Sequence, residues 1–234
     1  MIVIKLSIIV PVYNEEKRIK PFLNELYNFT KNKKQLEIIF VDDGSRDKSL
    51  EILKKFRQRE PKGRIISYKN NRGKGHAVKQ GVIHSNGRKI IFIDADNSIH
   101  PKEIGKISNL LDRYDVVVGD REHEESKVQI SEKRKFIGRV FNYIVRILFQ
   151  SSVKDNLCGL KGFKENIAKK LFNGISSTGW VFDVELFYKI KKNKYSLYFK
   201  PIEWKYKKGS KIKTADPIKI FMKLIKLRIN LLKC

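Results

Sequence analysis

Four apolar residues, Ile90-Ile91-Phe92-Ile93, run directly into Asp94-Ala95-Asp96. An equivalent stretch, Ile38-Ile39-Phe40-Val41, runs into Asp42-Asp43. Short continuous apolar runs fit strands buried on both faces, as in a parallel sheet covered by helices. Carboxylates that end such strands lie at the mouth of the sheet, where open α/β folds bind ligands. Side chains two apart on an extended strand point the same way, so Asp94 and Asp96 share a side. Two carboxylates there repel each other unless a cation or a hydrogen-bond donor lies between them. The pattern points to a divalent metal holding a nucleotide diphosphate.

The surrounding sequence alternates in the same manner. Residues 6–12 and 36–41 read as strands, as do 65–68, 90–93 and 116–118. Between them, 15–31 carries Ile19, Phe22, Leu23, Leu26 and Phe29 at helical spacing. Ser45 is placed to cap a helix that runs to about Arg59. Helices are also expected over 75–85 and from Pro101 to Leu111. This alternation predicts an α/β fold with a mostly parallel, Rossmann-like sheet flanked by helices. Residues 120–131 are polar and read as a mobile loop. Two amphipathic segments follow, 133–149 and 217–232, each with an apolar face and a basic one. Both are too short and too charged to span a bilayer; they suit interfacial helices or ordinary core helices. No repeat or linker divides the chain. One domain over 1–234 is expected, with a nucleotide-binding half, 1–119, and an acceptor and membrane-surface half, 120–234.

The formal charge of +26 admits nucleic acid, an anionic membrane surface or anionic substrates as partners, or simply a lysine-rich proteome. From Leu186 onward only Glu203 and Asp216 oppose a long series of lysines, which favours an anionic surface partner. Cys158 and Cys234 are the only cysteines and lack metal-ligand spacing, so a disulfide framework is not expected. The N-terminus passes into strand-like residues without a signal-peptide pattern, which places the chain in the cytoplasm.

Four motifs occur in order: Pro11-Val12-Tyr13-Asn14-Glu15, Val41-Asp42-Asp43-Gly44-Ser45, Asn71-Arg72-Gly73-Lys74-Gly75 and Asp94-Ala95-Asp96. Together they resemble the inverting family 2 glycosyltransferases of GT-A fold, which use nucleotide sugars. Asp155-Asn156-Leu157-Cys158-Gly159-Leu160-Lys161-Gly162-Phe163, Trp180-Val181-Phe182-Asp183-Val184-Glu185-Leu186 and Gly209-Ser210-Lys211 resemble the dolichyl-phosphate glucosyltransferases within it. The dolichol-phosphate mannose synthases share the plan.

The resemblance implies roles for individual residues. Pro11, Tyr13, Glu15, Val41 and Asp43 would line the nucleoside pocket. Lys74 would neutralise phosphate, and Lys205 and Lys211 would flank a loop over the donor. Asp94 and Ala95 would contact the donor, while Asp94, Asp96 and Ser98 would hold Mg²⁺ or Mn²⁺. Arg121 and Arg134 would grip the acceptor phosphate, a task suited to a guanidinium fork. Asp183 would act as a base or bind sugar hydroxyls. Its helical neighbour Glu185 cannot face the same way. The implied reaction moves a hexose, glucose favoured, from a UDP-sugar to dolichyl or polyprenyl phosphate, peripherally on the cytoplasmic face of a membrane. Alternatives are GDP-mannose as donor, a soluble glycan or protein as acceptor, and a non-enzymatic polyanion binder. No nucleic-acid partner is expected, because a basic binding module does not require the ordered acidic strand ends.

Overall fold

The computed structural model describes residues 3–207 and 217–232, without the side chains of 217–220. Lys211 and the Gly209-Ser210-Lys211 motif lie outside the described residues. The strands are β1 (Leu6–Val12), β2 (Leu36–Asp42), β3 (Gly63–Ser67), β4 (Lys89–Ile93), β5 (Val116–Asp120), β6 (Lys127–Gln129), β7 (Leu160–Lys164), β8 (Leu197–Pro201) and β9 (Glu203–Lys205). The helices are α1 (Ile19–Thr30), α2 (Ser49–Arg59), α3 (Lys74–Ile83), α4 (Lys102–Leu110), α5 (Glu132–Phe149), α6 (Glu165–Gly174), α7 (Phe182–Lys192) and α8 (Pro217–Leu232).

Seven strands form one sheet in the order β3-β2-β1-β4-β7-β5-β8. All neighbouring pairs are parallel except those of β7, which runs antiparallel between β4 and β5. The chain lays β2 and β3 on one side of β1 and then crosses to place β4 on the other. That reversal makes the crevice beyond the carboxyl ends of β1 and β4 the ligand site of an open α/β sheet. The expected mixed, mostly parallel α/β architecture is the one observed.

Local differences from the sequence reading have physical causes. Helix α1 starts at Ile19 because residues 15–18 form a turn, with both Arg18 N–H and Ile19 N–H donating to the Glu15 carbonyl. Ser45 does not cap α2, which begins four residues later. Its hydroxyl instead accepts the Asn14 N–H, and Asp42 accepts the Ser45 N–H, so Ser45 ties two loops at the sheet mouth. The polar stretch after β5 is not wholly a loop: residues 127–129 form β6, which pairs in parallel with β9.

The core fills both sides of the sheet with Ile, Val, Leu and Phe. A second apolar cluster joins α5 to α8 through Val145, Phe149, Val184, Leu224, Leu227 and Leu231. Only one face of each helix is used. Phe136, Ile137, Val140, Tyr143 and Ile147 of α5 stand exposed, as do Phe221, Met222, Ile229 and Leu232 of α8. No helix among the described residues is long and apolar enough to cross a membrane. Phe163 on β7 ties the layers together, stacked on Phe92 at 6.3 Å and edge-on to Phe172 at 5.6 Å. Phe163→Ala should cost about 3–5 kcal/mol, the usual loss for a buried Phe truncation, read as a lower urea midpoint.

Candidate active site

Strand β4 delivers Asp94 and Asp96 to the crevice, where each meets a different cation. Lys74, the first residue of α3, bonds both Asp94 oxygens at 2.7 and 2.9 Å. Burial works against the Lys74 ammonium, but Asp94, Asp183 and Asp96 outweigh it and hold its pKa above the ordinary lysine range. A Cβ on Gly159 would overlap the Asp94 carboxylate, and the Gly159 carbonyl accepts the Asp94 N–H at 2.9 Å. Glycine at that position lets the loop before β7 close against Asp94.

Asp96 is less committed. One oxygen accepts the Ser98 N–H at 2.9 Å, and the other lies 3.7 Å from Nη1 of Arg18. Arg18 is itself clamped by a fork from Glu15, at 2.8 and 2.6 Å. The Ser98 hydroxyl is buried without a hydrogen-bond partner among the described residues. The donor set at this strand end is all oxygen, which suits a hard divalent cation. Asp96 and Ser98 fit that role; Asp94 is occupied by Lys74. Among the described residues no group of three or more His, Cys, Asp or Glu side chains could hold a metal. A cation at Asp96 would therefore draw its remaining ligands from diphosphate oxygens and water, as Mg²⁺ sites commonly do.

The nucleoside-pocket candidates converge at the neighbouring strand ends. Pro11 and Val12 pair with Val41 and Asp42 across β1 and β2. Val41 is buried, and Tyr13 is partly exposed. The Asp43 carboxylate accepts from Asn71 Nδ2, Arg72 N–H and Gly73 N–H at 2.7–2.9 Å. It therefore fixes the glycine-rich loop, and the Tyr68 hydroxyl lies beside the same carboxylate. Asp42 is tied to Ser45 and Ser67. Ala95 is buried.

Asp183 opens α7 and lies beneath the same crevice. Its Oδ1 accepts from Lys161 Nζ at 2.7 Å, while Oδ2 is buried without a partner among the described residues. Lys161 is fully buried on β7 and also donates to the carbonyls of Cys158 and Asn156. Burial pushes the Asp183 carboxyl up, against the pull of Lys161 and Lys74. Glu185 turns away, accepting the Ser176 and Ser177 N–H groups. Lys161 and Arg18 were not singled out from sequence. A lone lysine inside Gly159-Leu160-Lys161-Gly162 was the available signal for the first, and the three-residue spacing from Glu15 for the second.

Arg121 and Arg134 come together on an aromatic strip. Trp204 on β9 and Tyr206 just after it lie 6.4 Å apart. The Arg121 guanidinium sits 5.4 Å from the Trp204 ring, and that of Arg134 sits 4.3 Å from Tyr206. Lys205, between the two aromatics, is exposed; its N–H donates to the Ser98 carbonyl and ties the strip to the Asp96 loop. Arg121 is held by a fork to buried Asp155, at 2.7 and 2.6 Å. Burial opposes the Asp155 anion, yet Arg121 prevails and holds its carboxyl below the usual range. A depressed carboxylate stabilises the fold above its unfolded pKa, about 3.9, and loses that contribution as pH falls through the folded value. Asp155→Asn should therefore cost about 2–4 kcal/mol at pH 7 and leave a shallower fall of Tm on acidification below about pH 4, by calorimetry.

The model described as Glycosyl transferase family 2 matches residues 7–172. The dolichyl-phosphate beta-glucosyltransferase of Saccharomyces cerevisiae is 32% identical over 247 residues, covering 96% of this chain and 74% of that protein. That of Dictyostelium discoideum is 30% identical, covering 98% and 75%. Among solved structures, Staphylococcus aureus TarS 1–349 in complex with UDP-GlcNAc superposes with a TM-score of 0.64 at 21% identity, over 97% of this chain and 66% of that one. Glucosyl-3-phosphoglycerate synthase from Mycobacterium tuberculosis, with Mn²⁺, UDP and glucosyl-3-phosphoglycerate, superposes at 0.68 with 16% identity, over 96% and 79%. These two neighbours share the fold of this chain. With the acidic ends of β2 and β4 at one crevice and a family match over residues 7–172, the chain belongs to glycosyl transferase family 2.

Proposed function

We propose that this protein transfers glucose, with inversion, from UDP-glucose to a dolichyl or other polyprenyl phosphate at a membrane surface. The observation that carries this reading is one continuous path across the site. Asp96 bonds Ser98, Ser98 bonds Lys205 of β9, and β9 presents the strip that seats Arg121 and Arg134. Arg134 lies in the first turn of α5, two residues before exposed Phe136 and Ile137. The path thus runs from a site for diphosphate, through a site for phosphate, onto an apolar face. A phosphate at the head of a long hydrocarbon has that order of chemistry. The named activity of the dolichyl-phosphate beta-glucosyltransferase relatives supports the same reading.

In the proposed reaction the bond from the sugar C1 to the UDP oxygen breaks, and its electron pair leaves with UDP. An acceptor phosphate oxygen forms the new bond to C1 from the opposite face. A phosphate monoester is largely dianionic at neutral pH, its second pKa being about 6, so no proton must be removed. Asp183 is then free to bind sugar hydroxyls through its unpartnered oxygen rather than serve as a base. Arg121, preset by Asp155, and Arg134 would orient the acceptor, so positioning and electrostatics supply most of the catalysis. Lys74 would offset the negative charge of the donor. Mg²⁺ or Mn²⁺, held by Asp96 and Ser98, would supply Lewis-acid stabilisation of the departing diphosphate. Pro11, Tyr13, Glu15, Val41 and Asp43 would seat the nucleoside.

The exposed apolar residues of α5 and α8 would enter the membrane interface. Exposed Lys133, Arg134, Arg139, Arg146, Lys223 and Lys226 would meet anionic headgroups. Exposed apolar patches of this kind mark interaction surfaces.

The test is transfer from radiolabelled UDP- and GDP-sugars to short polyprenyl phosphate in anionic vesicles. Labelled product should partition into organic solvent from UDP-glucose, require Mg²⁺ or Mn²⁺, and fall at least about a hundredfold with Asp96→Ala, about 2.7 kcal/mol of transition-state stabilisation. Turnover confined to a soluble acceptor would overturn the lipid reading.

A further inference from the structure

Trp180 is a large apolar side chain left 44% exposed beside the charged cluster of the crevice. Its ring lies 5.6 Å from Lys74 Nζ, the ammonium that bonds Asp94 and feels Asp183. The loop that carries it, 175–181, is braced at several points. Buried Glu185 accepts the Ser176 and Ser177 N–H groups, and Lys79 donates to the Ile175 carbonyl at 3.0 Å. The Thr178 carbonyl accepts the His76 N–H from α3, and the Gly179 carbonyl accepts the Phe182 N–H. Two glycines make room for the loop: a Cβ on Gly73, whose φ is +97°, would meet the Thr178 carbonyl, and one on Gly75 would meet Ser177 and Phe182.

The bracing fixes the backbone that presents a large aromatic side chain beside the crevice. A half-exposed ring on a backbone so braced is suited to a ligand, because part of its order is established before binding. The groups next to it narrow the ligand's chemistry. Lys74, Asp94 and the unpartnered Asp183 Oδ2 can donate to and accept from hydroxyls, while an aromatic face offers a flat apolar surface with a negative quadrupole. A pyranose presents that combination, with hydroxyls at its rim and weakly positive C–H bonds on its face. The nucleoside candidates, Tyr13 and Asp43, approach from the ends of β1 and β2 instead.

We propose that Trp180 is the platform on which the hexose of the donor stacks, and that it contributes to sugar selection. This deepens the donor reading given above and rests on it. The test uses both tryptophans of the chain. In a Trp204→Phe background, Trp180 is the sole indole, and its emission is followed while UDP-glucose or UDP is added with Mn²⁺. UDP-glucose should change the emission and UDP should change it far less. Trp180→Ala should raise KM for UDP-glucose about tenfold, the scale of one lost aromatic contact. The affinity for UDP should stay unchanged, which also reports an intact fold, and Trp180→Phe should restore most of the loss. Equal responses to UDP and UDP-glucose would assign the ring to the nucleoside and overturn the proposal. An unresponsive indole with unaltered KM in Trp180→Ala would overturn it as well. Failure of the lipid reading shows separately, as absence of organic-soluble product from the unsubstituted protein, and leaves the emission result standing.

Discussion

The ion pair between Lys74 and Asp94 is the interaction on which the arrangement of the site depends. Three acids, Asp94, Asp96 and Asp183, meet at one end of the sheet. Left alone, like charges at that spacing would drive protons onto some of them or push the strands apart. Lys74 stands at the start of α3 and bonds both Asp94 oxygens. Lys161 does the same for one oxygen of Asp183 from inside the sheet. Two of the three acids are thus balanced within the protein. Among the described residues Asp96 has only the more distant Arg18 and one backbone donor. The acid left least compensated is the one best placed for a cation that arrives with substrate.

Much of this was legible before any coordinates. The alternation of apolar runs and helical spacing specified the order of β1 through β5, because strands buried on both faces leave few polar interruptions. The later strands were hidden for the opposite reason. β7 contains Lys161 and Gly162, and β8 is only partly buried, so neither produces a continuous apolar run. Capping residues were misread where side chains reach across loops. Ser45 has the look of a helix start, yet it bonds Asn14, thirty-one residues away. Such long-range contacts leave no local trace. For the same reason the motifs marked Asp43 and Arg121 as ligand groups but did not reveal their protein partners. Asp43 spends three acceptor positions on the glycine-rich loop, and Arg121 spends its fork on Asp155.

The two basic amphipathic segments were ambiguous between core and interface, and the structure divides them by face. Each packs one stripe into a shared apolar cluster and leaves another outward. That double use explains their composition: a helix hydrophobic over more than one stripe needs a second surface to cover it. The sheet mouth, the arginine strip and these helices lie in sequence along the molecule. Polarity falls in that order, from the acidic sheet mouth to exposed apolar residues of α5 and α8.

The most direct measurement is calorimetric titration of UDP into the unsubstituted protein and into Asp96→Asn, each with and without Mn²⁺. If Asp96 is the acid reserved for the cation, UDP should bind the unsubstituted protein at least about tenfold more tightly with metal, or roughly 1.4 kcal/mol. Asp96→Asn should abolish that difference while keeping the metal-free affinity. Equal binding with and without Mn²⁺ in the unsubstituted protein, or metal dependence that survives Asp96→Asn, would contradict it.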